Sequence, residues 1–184
     1  NEAVPLILIN TFLAAAFGLL TGLVGSFLIY KKPDPFYVIL GPLAGLVSIT
    51  AACNSVTSVL AIIIGIIGSI VAIIATEILN KFEIDDVVGA IPVHLAAGIW
   101  GTLAVGIFSD LETLGTGLAR FEQIKIQLIG IVSIGLFSFF ISFILLKTLN
   151  YFYPLRVSPI QEELGLNIAE HGAVSVEHDL ITVL

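Results

Sequence analysis

One histidine lies inside a long run of residues without formal charge. His94 is the eighth residue of the run 87–109, which contains no Asp, Glu, Lys or Arg. Ionisable side chains in a membrane helix usually face the interior of a bundle or a polar path, and a neutral imidazole can both donate and accept a hydrogen bond. His94 is therefore a candidate for relaying a hydrogen-bonding substrate through an apolar pore. The alternative is a structural histidine that bonds a carbonyl group of a neighbouring helix.

Two aspartates directly precede this run. Asp85 and Asp86 can accept hydrogen bonds from the first backbone N–H groups of the next helix and complement the positive end of its dipole. Contact with a substrate is the alternative. Pro92 removes a backbone donor and distorts the helix, which membrane helices tolerate where a neighbour or a cavity water satisfies the freed group. Gly89, Gly98 and Gly101 allow a close helix contact or form one wall of a narrow path.

The composition excludes several classes of protein. Hydrophobic side chains make up 58% of the 184 residues, charged ones only 11%, and the mean hydropathy is +1.11. These values are far from those of a water-soluble globular chain or a disordered one. A transmembrane β-barrel is excluded because the apolar runs are continuous rather than alternating, and a disulfide scaffold is excluded by the single cysteine, Cys53.

Charge and motifs argue against nucleic-acid binding and against enzyme chemistry. The net charge is −7, and the seven Lys and Arg residues form no basic patch for phosphate. The sequence contains no P-loop, no dinucleotide-binding glycine motif and no nucleophile elbow. Its three histidines and one cysteine do not occur at metal-ligand spacings, so we expect neither a metal ion nor an organic cofactor.

Four long runs without Asp, Glu, Lys or Arg cover residues 3–30, 35–76, 87–109 and 126–146. A bilayer core about 30 Å thick needs roughly 20 helical residues, so three runs predict one crossing each and the second, which is broken at Cys53-Asn54-Ser55, predicts two. The predicted fold class is an all-α membrane protein with five transmembrane helices and a tail. The predicted helices lie at about 4–30, 36–53, 56–80, 86–108 and 122–151, in a membrane region of residues 1–153 that precedes a tail of residues 154–184.

The positive charges predict the orientation of these helices. With five crossings, five of the seven Lys and Arg residues fall on one side of the membrane, and these are Lys31, Lys32, Lys81, Lys147 and Arg156. The other side receives only Arg120 and Lys125. Because cytoplasmic loops retain positive charge, we expect a multi-pass protein of the cell membrane with its amino end outside and its tail in the cytoplasm. The chain has no methionine, not even at its start, so we expect a processed product or part of a longer protein.

The segment 85–108 resembles the signature helix of the ammonium transporter family. It reads Asp85-Asp86-Val-Val-Gly-Ala-Ile-Pro-Val-His94-Leu-Ala-Ala-Gly98-Ile-Trp100-Gly101-Thr-Leu-Ala-Val-Gly106-Ile-Phe108. Similar agreement occurs in Asn10-Thr11, in the stretch 45–53 and in the tail 156–172. The resemblance covers almost the whole chain and corresponds to the last five of the family's eleven helices. The family's extracellular amino end and cytoplasmic tail agree with the orientation predicted from charge.

This resemblance implies a homotrimer in which each subunit has its own narrow hydrophobic pore for ammonia, lined midway by two neighbouring histidines. His94 matches the second of these histidines, and Ala90, one turn earlier, matches a pore-lining position. Asp86 matches an acidic position at the start of the helix, and Gly98 matches a close-packing one. The family's tail packs under the trimer and couples its subunits, and soluble regulatory proteins dock on the same face. The tail positions that we single out are Gly165, His171 and Gly172.

The chain also departs from the family pattern. It has no second intramembrane histidine, and the family's outer cation site and aromatic gate come from earlier helices, so a conducting unit needs an amino-terminal half on the same chain or on a partner. The leading hypothesis is the carboxy-terminal half of an ammonium transporter subunit. The main alternative is the membrane domain of an ammonium-sensing receptor, and a third is a half-length structural or regulatory subunit that associates with a separate chain.

Overall fold

The computed structural model describes residues 3–171, and every regular element in that range is helical. Its contacts divide the chain into two compact units, Asn1–Ile134 and Gly135–Leu184. The helices are α1 (Val4–Tyr30), α2 (Pro35–Ile49), α3 (Ser58–Lys81), α4 (Ile91–Phe108), α5 (Leu111–Leu114), α6 (Arg120–Phe152), α7 (Pro159–Leu164) and α8 (Leu166–His171). The predicted all-α fold class is therefore confirmed.

Four of these helices, α1, α3, α4 and α6, are long and apolar enough to cross a membrane. The second predicted span is shorter than expected, because α2 has 15 residues and ends at Ile49 rather than near residue 53. At about 1.5 Å per residue it is roughly 22 Å long. The chain turns instead through residues 50–55, where the Asn10 side chain donates from Nδ2 to the carbonyl oxygens of Cys53 and Val56 at 2.9 Å each. A turn whose carbonyl groups are satisfied in this way does not need to continue as a helix.

The start of the fourth predicted helix is also later than expected. It was predicted near residue 86, but the chain runs without regular structure through residues 84–86 and turns at 87–88, and α4 begins at Ile91. Gly89 is buried and has a φ of +69°, a value that an α-helix cannot accommodate. A Cβ atom there would lie 2.7 Å from Cδ1 of Leu40, the end of a flexible side chain, so it is the backbone conformation that favours glycine.

Small residues bring α1, α2 and α3 into backbone contact. A Cβ atom placed on Gly18 in α1 would lie 2.5 Å from the carbonyl oxygen of Gly41 in α2. One placed on Gly65 in α3 would lie 2.5 Å from the carbonyl oxygen of Ala14 in α1. Close packing of this kind supplies the van der Waals contact that drives helix association where lipid removes the hydrophobic driving force. The three helices thus form a platform, and α4 packs against α2 and α3.

Candidate functional site

His94 lies in a local widening of its helix. Residues Ile91–Ala96 form a π-helical turn, in which the Ala97 N–H donates to the carbonyl oxygen of Pro92 five residues earlier. Pro92 is buried at the second position of this turn, where its missing N–H leaves no bond unmade. Single π turns inside helices occur frequently at functional sites. Pro92 is the only sequence signal that could have pointed to the widening.

The His94 side chain faces away from the platform. Pro92 and Val93 are buried, whereas Ala90, His94 and Leu95 are exposed on the opposite side. Within residues 3–171 no hydrogen bond to the imidazole of His94 is present, so the interpretation of His94 as a partner for a neighbouring carbonyl group finds no such carbonyl in the described part of the chain. The exposed side of α4 therefore combines one imidazole with apolar side chains, and Ala90 lies on it as well.

Asp86 holds the start of this helix through its side chain. Its Oδ1 accepts from the backbone N–H of Ala90 at 2.8 Å and its Oδ2 accepts from that of Ile91 at 2.7 Å. Both N–H groups belong to the first turn, where no carbonyl of the helix can reach them, and the negative charge matches the positive end of the dipole. Asp85 is exposed beside it. The geometry is that of a helix cap built on one carboxylate.

Within the described residues, the close backbone packing of α4 on α2 lies at Gly101. A Cβ atom on Gly98 would be 3.8 Å from Cγ1 of Val47, an ordinary contact, and Gly98 is only half-buried. A Cβ atom on Gly101 would be 2.6 Å from the carbonyl oxygen of Ser48 and 2.8 Å from its Cα. Among residues 3–171 Gly98 makes no close backbone contact, and its role as a close-packing position stays a prediction. The two glycines differ in orientation, because Gly98 lies at the edge of the buried side of α4 and Gly101 lies at its centre.

Two further hydrogen bonds fix α4 against the platform. The Ser48 hydroxyl donates to the carbonyl oxygen of Ala97 at 3.2 Å, and the Trp100 Nε1 donates to that of Ile64 at 3.0 Å. Each joins α4 to a different helix, α2 and α3 respectively. Side-chain bonds of this type between membrane helices contribute about 0.6 kcal/mol on average. They complement the glycine contact in holding the helix that carries His94.

The carboxylate of Glu77 in α3 lies in a tyrosine cluster. Its Oε1 accepts from the Tyr30 hydroxyl at 2.9 Å and from the Tyr37 hydroxyl, which joins α1, α2 and α3. A cavity of about 320 Å³ lies beside the cluster and is lined also by Asp86 and Pro92. The two tyrosines that flank the Lys31-Lys32 loop were the signal that could have indicated this cluster.

The described residues of the tail belong to the second unit. Gly165 separates α7 from α8 with a φ of +83°, a backbone conformation that favours glycine. The side chain of Arg156, which precedes α7, pairs at 2.9 Å with that of Glu162 in α7. His171 is the last residue of α8, and Gly172 lies outside the described residues. Among residues 3–171, no three His, Cys, Asp or Glu side chains are placed to hold a metal ion.

The profile of the Ammonium Transporter Family matches residues 1–176. The chain belongs to this family. Ammonium transporter Amt2 of Archaeoglobus fulgidus is 39% identical over 189 residues, which cover 97% of this chain and 40% of that protein. The ammonium transporter of Bacillus subtilis is 35% identical over 172 residues, which cover 89% of this chain and 42% of that protein. A Synechocystis relative is 40% identical over 98% of this chain and 34% of its own length.

Solved structures show the same architecture. A structure titled Sensor Amt Protein superposes with a TM-score of 0.84 at 37% identity, over 92% of this chain and 42% of that one. The crystal structure of Saccharomyces cerevisiae Mep2 superposes with a TM-score of 0.77 at 28% identity, over 86% of this chain and 38% of that one. The chain thus spans between about a third and two fifths of the length of these relatives. It is a membrane protein with a partial family fold.

Proposed function

We propose that this chain forms the carboxy-terminal half of a subunit that transports ammonium across the membrane. The observation that carries the proposal is the His94 imidazole, which α4 presents from a π turn on the side that the described helices leave uncovered. Family membership supplies the substrate. Transport rather than bond-making chemistry accounts for an ionisable ring on an apolar face.

Desolvation explains why this arrangement suits ammonium. A bare cation is costly in an apolar channel, whereas neutral ammonia is not. Ammonium gives up a proton at the entrance, ammonia passes along the apolar face of α4, and the proton travels separately. A neutral imidazole can accept a hydrogen bond from ammonia on one nitrogen while it donates on the other. His94 then carries the hydrogen-bonded chain through the narrow part of the pore, and Ala90 lines the path one turn away.

The rest of the transporter is part of the same proposal. Folds of this kind are built from inverted repeats with the path at their interface, so the uncovered side of α4 faces an amino-terminal half. We place residues 1–153 in the cell membrane with the amino end outside, and residues 154–184 in the cytoplasm, because five of the seven positive charges then lie inside. The complete unit is a homotrimer. Its tail couples neighbouring subunits, with Gly165, His171 and Gly172 as the positions to test, and a cytoplasmic regulatory protein docks on the same face of the trimer.

The test is ammonium-dependent current through the complete protein in proteoliposomes. His94→Leu removes both nitrogen atoms while it keeps an apolar side chain of similar size, so we expect it to abolish or alter the current and the discrimination between ammonium and methylammonium. Leu95→Ile is the matched control, because Leu95 is exposed beside His94 on the same turn. Unchanged current and discrimination in His94→Leu at equal protein abundance would count decisively against His94 as a pore residue.

The similarity to the sensor structure supports a second candidate function. A membrane domain that binds ammonium and passes a signal to an output domain could use the same helices. Ammonium binding to the purified complete protein, measured by calorimetry, would then occur without measurable flux in proteoliposomes. Binding together with flux favours the transporter, and the intact mass of the purified subunit shows whether an output domain is attached.

A further inference from the structure

A side chain from another helix satisfies the carbonyl groups at the end of α4. Arg120, the first residue of α6, donates from Nη1 to the carbonyl oxygen of Ser109 at 2.6 Å and to that of Gly106 at 3.3 Å. The last carbonyl groups of a helix have no partner within it and lie at the negative end of its dipole. A guanidinium group there acts both as a hydrogen-bond donor and as a matching positive charge.

The first turn of α6 also touches α4 through its backbone. A Cβ atom on Gly106 would lie 2.9 Å from the Cα of Ile124, so no larger residue fits between the two helices at this point. Gln123, which directly precedes Ile124, is buried with 3% of its surface exposed. Its Oε1 accepts from the Thr116 hydroxyl at 3.0 Å. Arg120 is thus held by a docked turn, which keeps its guanidinium group at the end of α4.

Side chains of opposite charge therefore cap the two ends of the helix that carries His94. Asp86 binds the first N–H groups, Arg120 binds the last carbonyl groups, and the π turn Ile91–Ala96 lies between them. A π turn holds one residue more than an α turn, and moving one residue across such a junction rotates the preceding side chains by about 100° around the axis. The direction of the His94 imidazole therefore depends on both ends staying in place.

We propose that Arg120 is a positioning residue for His94. By binding the Gly106 and Ser109 carbonyl groups it fixes the axial position of α4 and prevents the π turn from relaxing into a regular turn. Gly106 follows His94 by twelve residues, about 18 Å along a helix at 1.5 Å per residue. Arg120 therefore acts through the helix and does not touch the substrate. The proposal rests on the proposed transport function, because transport reports the direction of the imidazole.

The test compares three variants of the complete protein in proteoliposomes. Arg120→Met keeps the length of the side chain and removes every donor, and Arg120→Lys restores the charge with a donor of different shape. Lys125→Met is the matched control, because it removes a positive charge from the same helix at a side chain that lies over the Phe121 ring, 4.4 Å from its centroid. Maximal flux and half-saturating ammonium concentration are measured at equal protein abundance. Hydrogen exchange of residues 91–96 and 104–110 is followed in parallel.

We expect Arg120→Met to lower the maximal rate by about tenfold, as for the loss of a charge-assisted hydrogen bond, without changing the half-saturating concentration. Arg120→Lys recovers part of the rate, and Lys125→Met behaves like the parent. Exchange rises in both segments of Arg120→Met. A rate equal to that of Lys125→Met overturns the proposal, and so does a loss of folded protein with an unchanged rate per molecule. A parent that does not transport refutes the proposed function instead, while unchanged exchange in residues 91–96 refutes the control of the π turn.

Discussion

Two apolar helices of the first unit, α4 and the first part of α6 (residues 120–134), differ in how much they bury. α4 buries Ala97, Gly101, Ala104 and Val105 against the platform. In residues 120–134 of α6 only Gln123 is buried, and Ile126, Ile129 and Val132 are 50%, 61% and 57% exposed. Both segments belong to helices that are apolar enough to cross a membrane. Hydropathy therefore identifies the segments that lie in lipid, but it does not identify those that pack against each other.

Backbone contact within the described residues accounts for the difference. Gly101 on the buried side of α4 lies against the Ser48 backbone, whereas a Cβ atom on Gly130 of α6 would meet nothing within 4 Å. In lipid, the gain from association comes from van der Waals contact and from hydrogen bonds between helices, and both need close approach of backbones. A glycine in a membrane helix is thus informative only when its neighbour in space is known.

The largest expected effect comes from adding side chains at these two glycines. Gly101→Val places a methyl-bearing carbon against the Ser48 backbone and should cost about 3 kcal/mol or more, because a backbone cannot move aside as a flexible side chain can. Gly130→Val should change stability by less than about 0.5 kcal/mol. Denaturation of the complete protein by sodium dodecyl sulfate in mixed micelles measures both. An equal loss in Gly130→Val would show that α6 packs there against a segment outside this chain.

A smaller effect is expected from the amide that supports the turn beside α4. Asn10 is fully buried, donates to Cys53 and Val56, and accepts from the Ser58 hydroxyl at 2.9 Å. Asn10→Ala leaves three polar groups without a partner and should cost on the order of 2 kcal/mol. Gln127→Ala, which removes a half-buried amide from α6, is the matched control and should stay within about 0.5 kcal/mol. Similar midpoints of denaturation for the two variants would remove the contrast between the helices.

Much of the fold followed from charge and length. The bounds of α1 and α6 agree with prediction to within about two residues, because the Lys31-Lys32-Pro33-Asp34-Pro35 cluster and the flanking charges mark where lipid must end. The end of α2 and the start of α4 did not follow. The end of α2 depends on the side chain of Asn10, which is distant along the chain, and the start of α4 depends on the positive φ of Gly89. Neither changes the hydropathy of its segment.

The candidate site was predictable only in part. His94 was identified because it is an ionisable residue in an uncharged run, which is a property of sequence alone. The roles of Arg120 and Glu77 were not, because each binds groups that are 11 to 47 residues away along the chain. From the sequence, Arg120 is assigned only to the loop between the fourth and fifth predicted helices. Only the packing of α6 on Gly106 brings its guanidinium group to the end of α4.

The smallest expected effect concerns the junction between α4 and α6, at Asp110. Its Oδ2 accepts from the Thr113 hydroxyl at 2.6 Å and from the Thr113 N–H at 2.9 Å. These bonds, with a further contribution from Arg120, lower the pKa of the Asp110 carboxyl group. Because the folded pKa lies below the usual value of about 3.9, the contribution to stability is complete above that value and is lost as pH falls through the folded pKa. Thermal denaturation between about pH 5 and about pH 3 should therefore show a weaker pH dependence in Asp110→Asn than in the parent. Thr113→Val should also weaken this pH dependence. An unchanged pH dependence in both variants would show that the Asp110 carboxylate does not hold the junction.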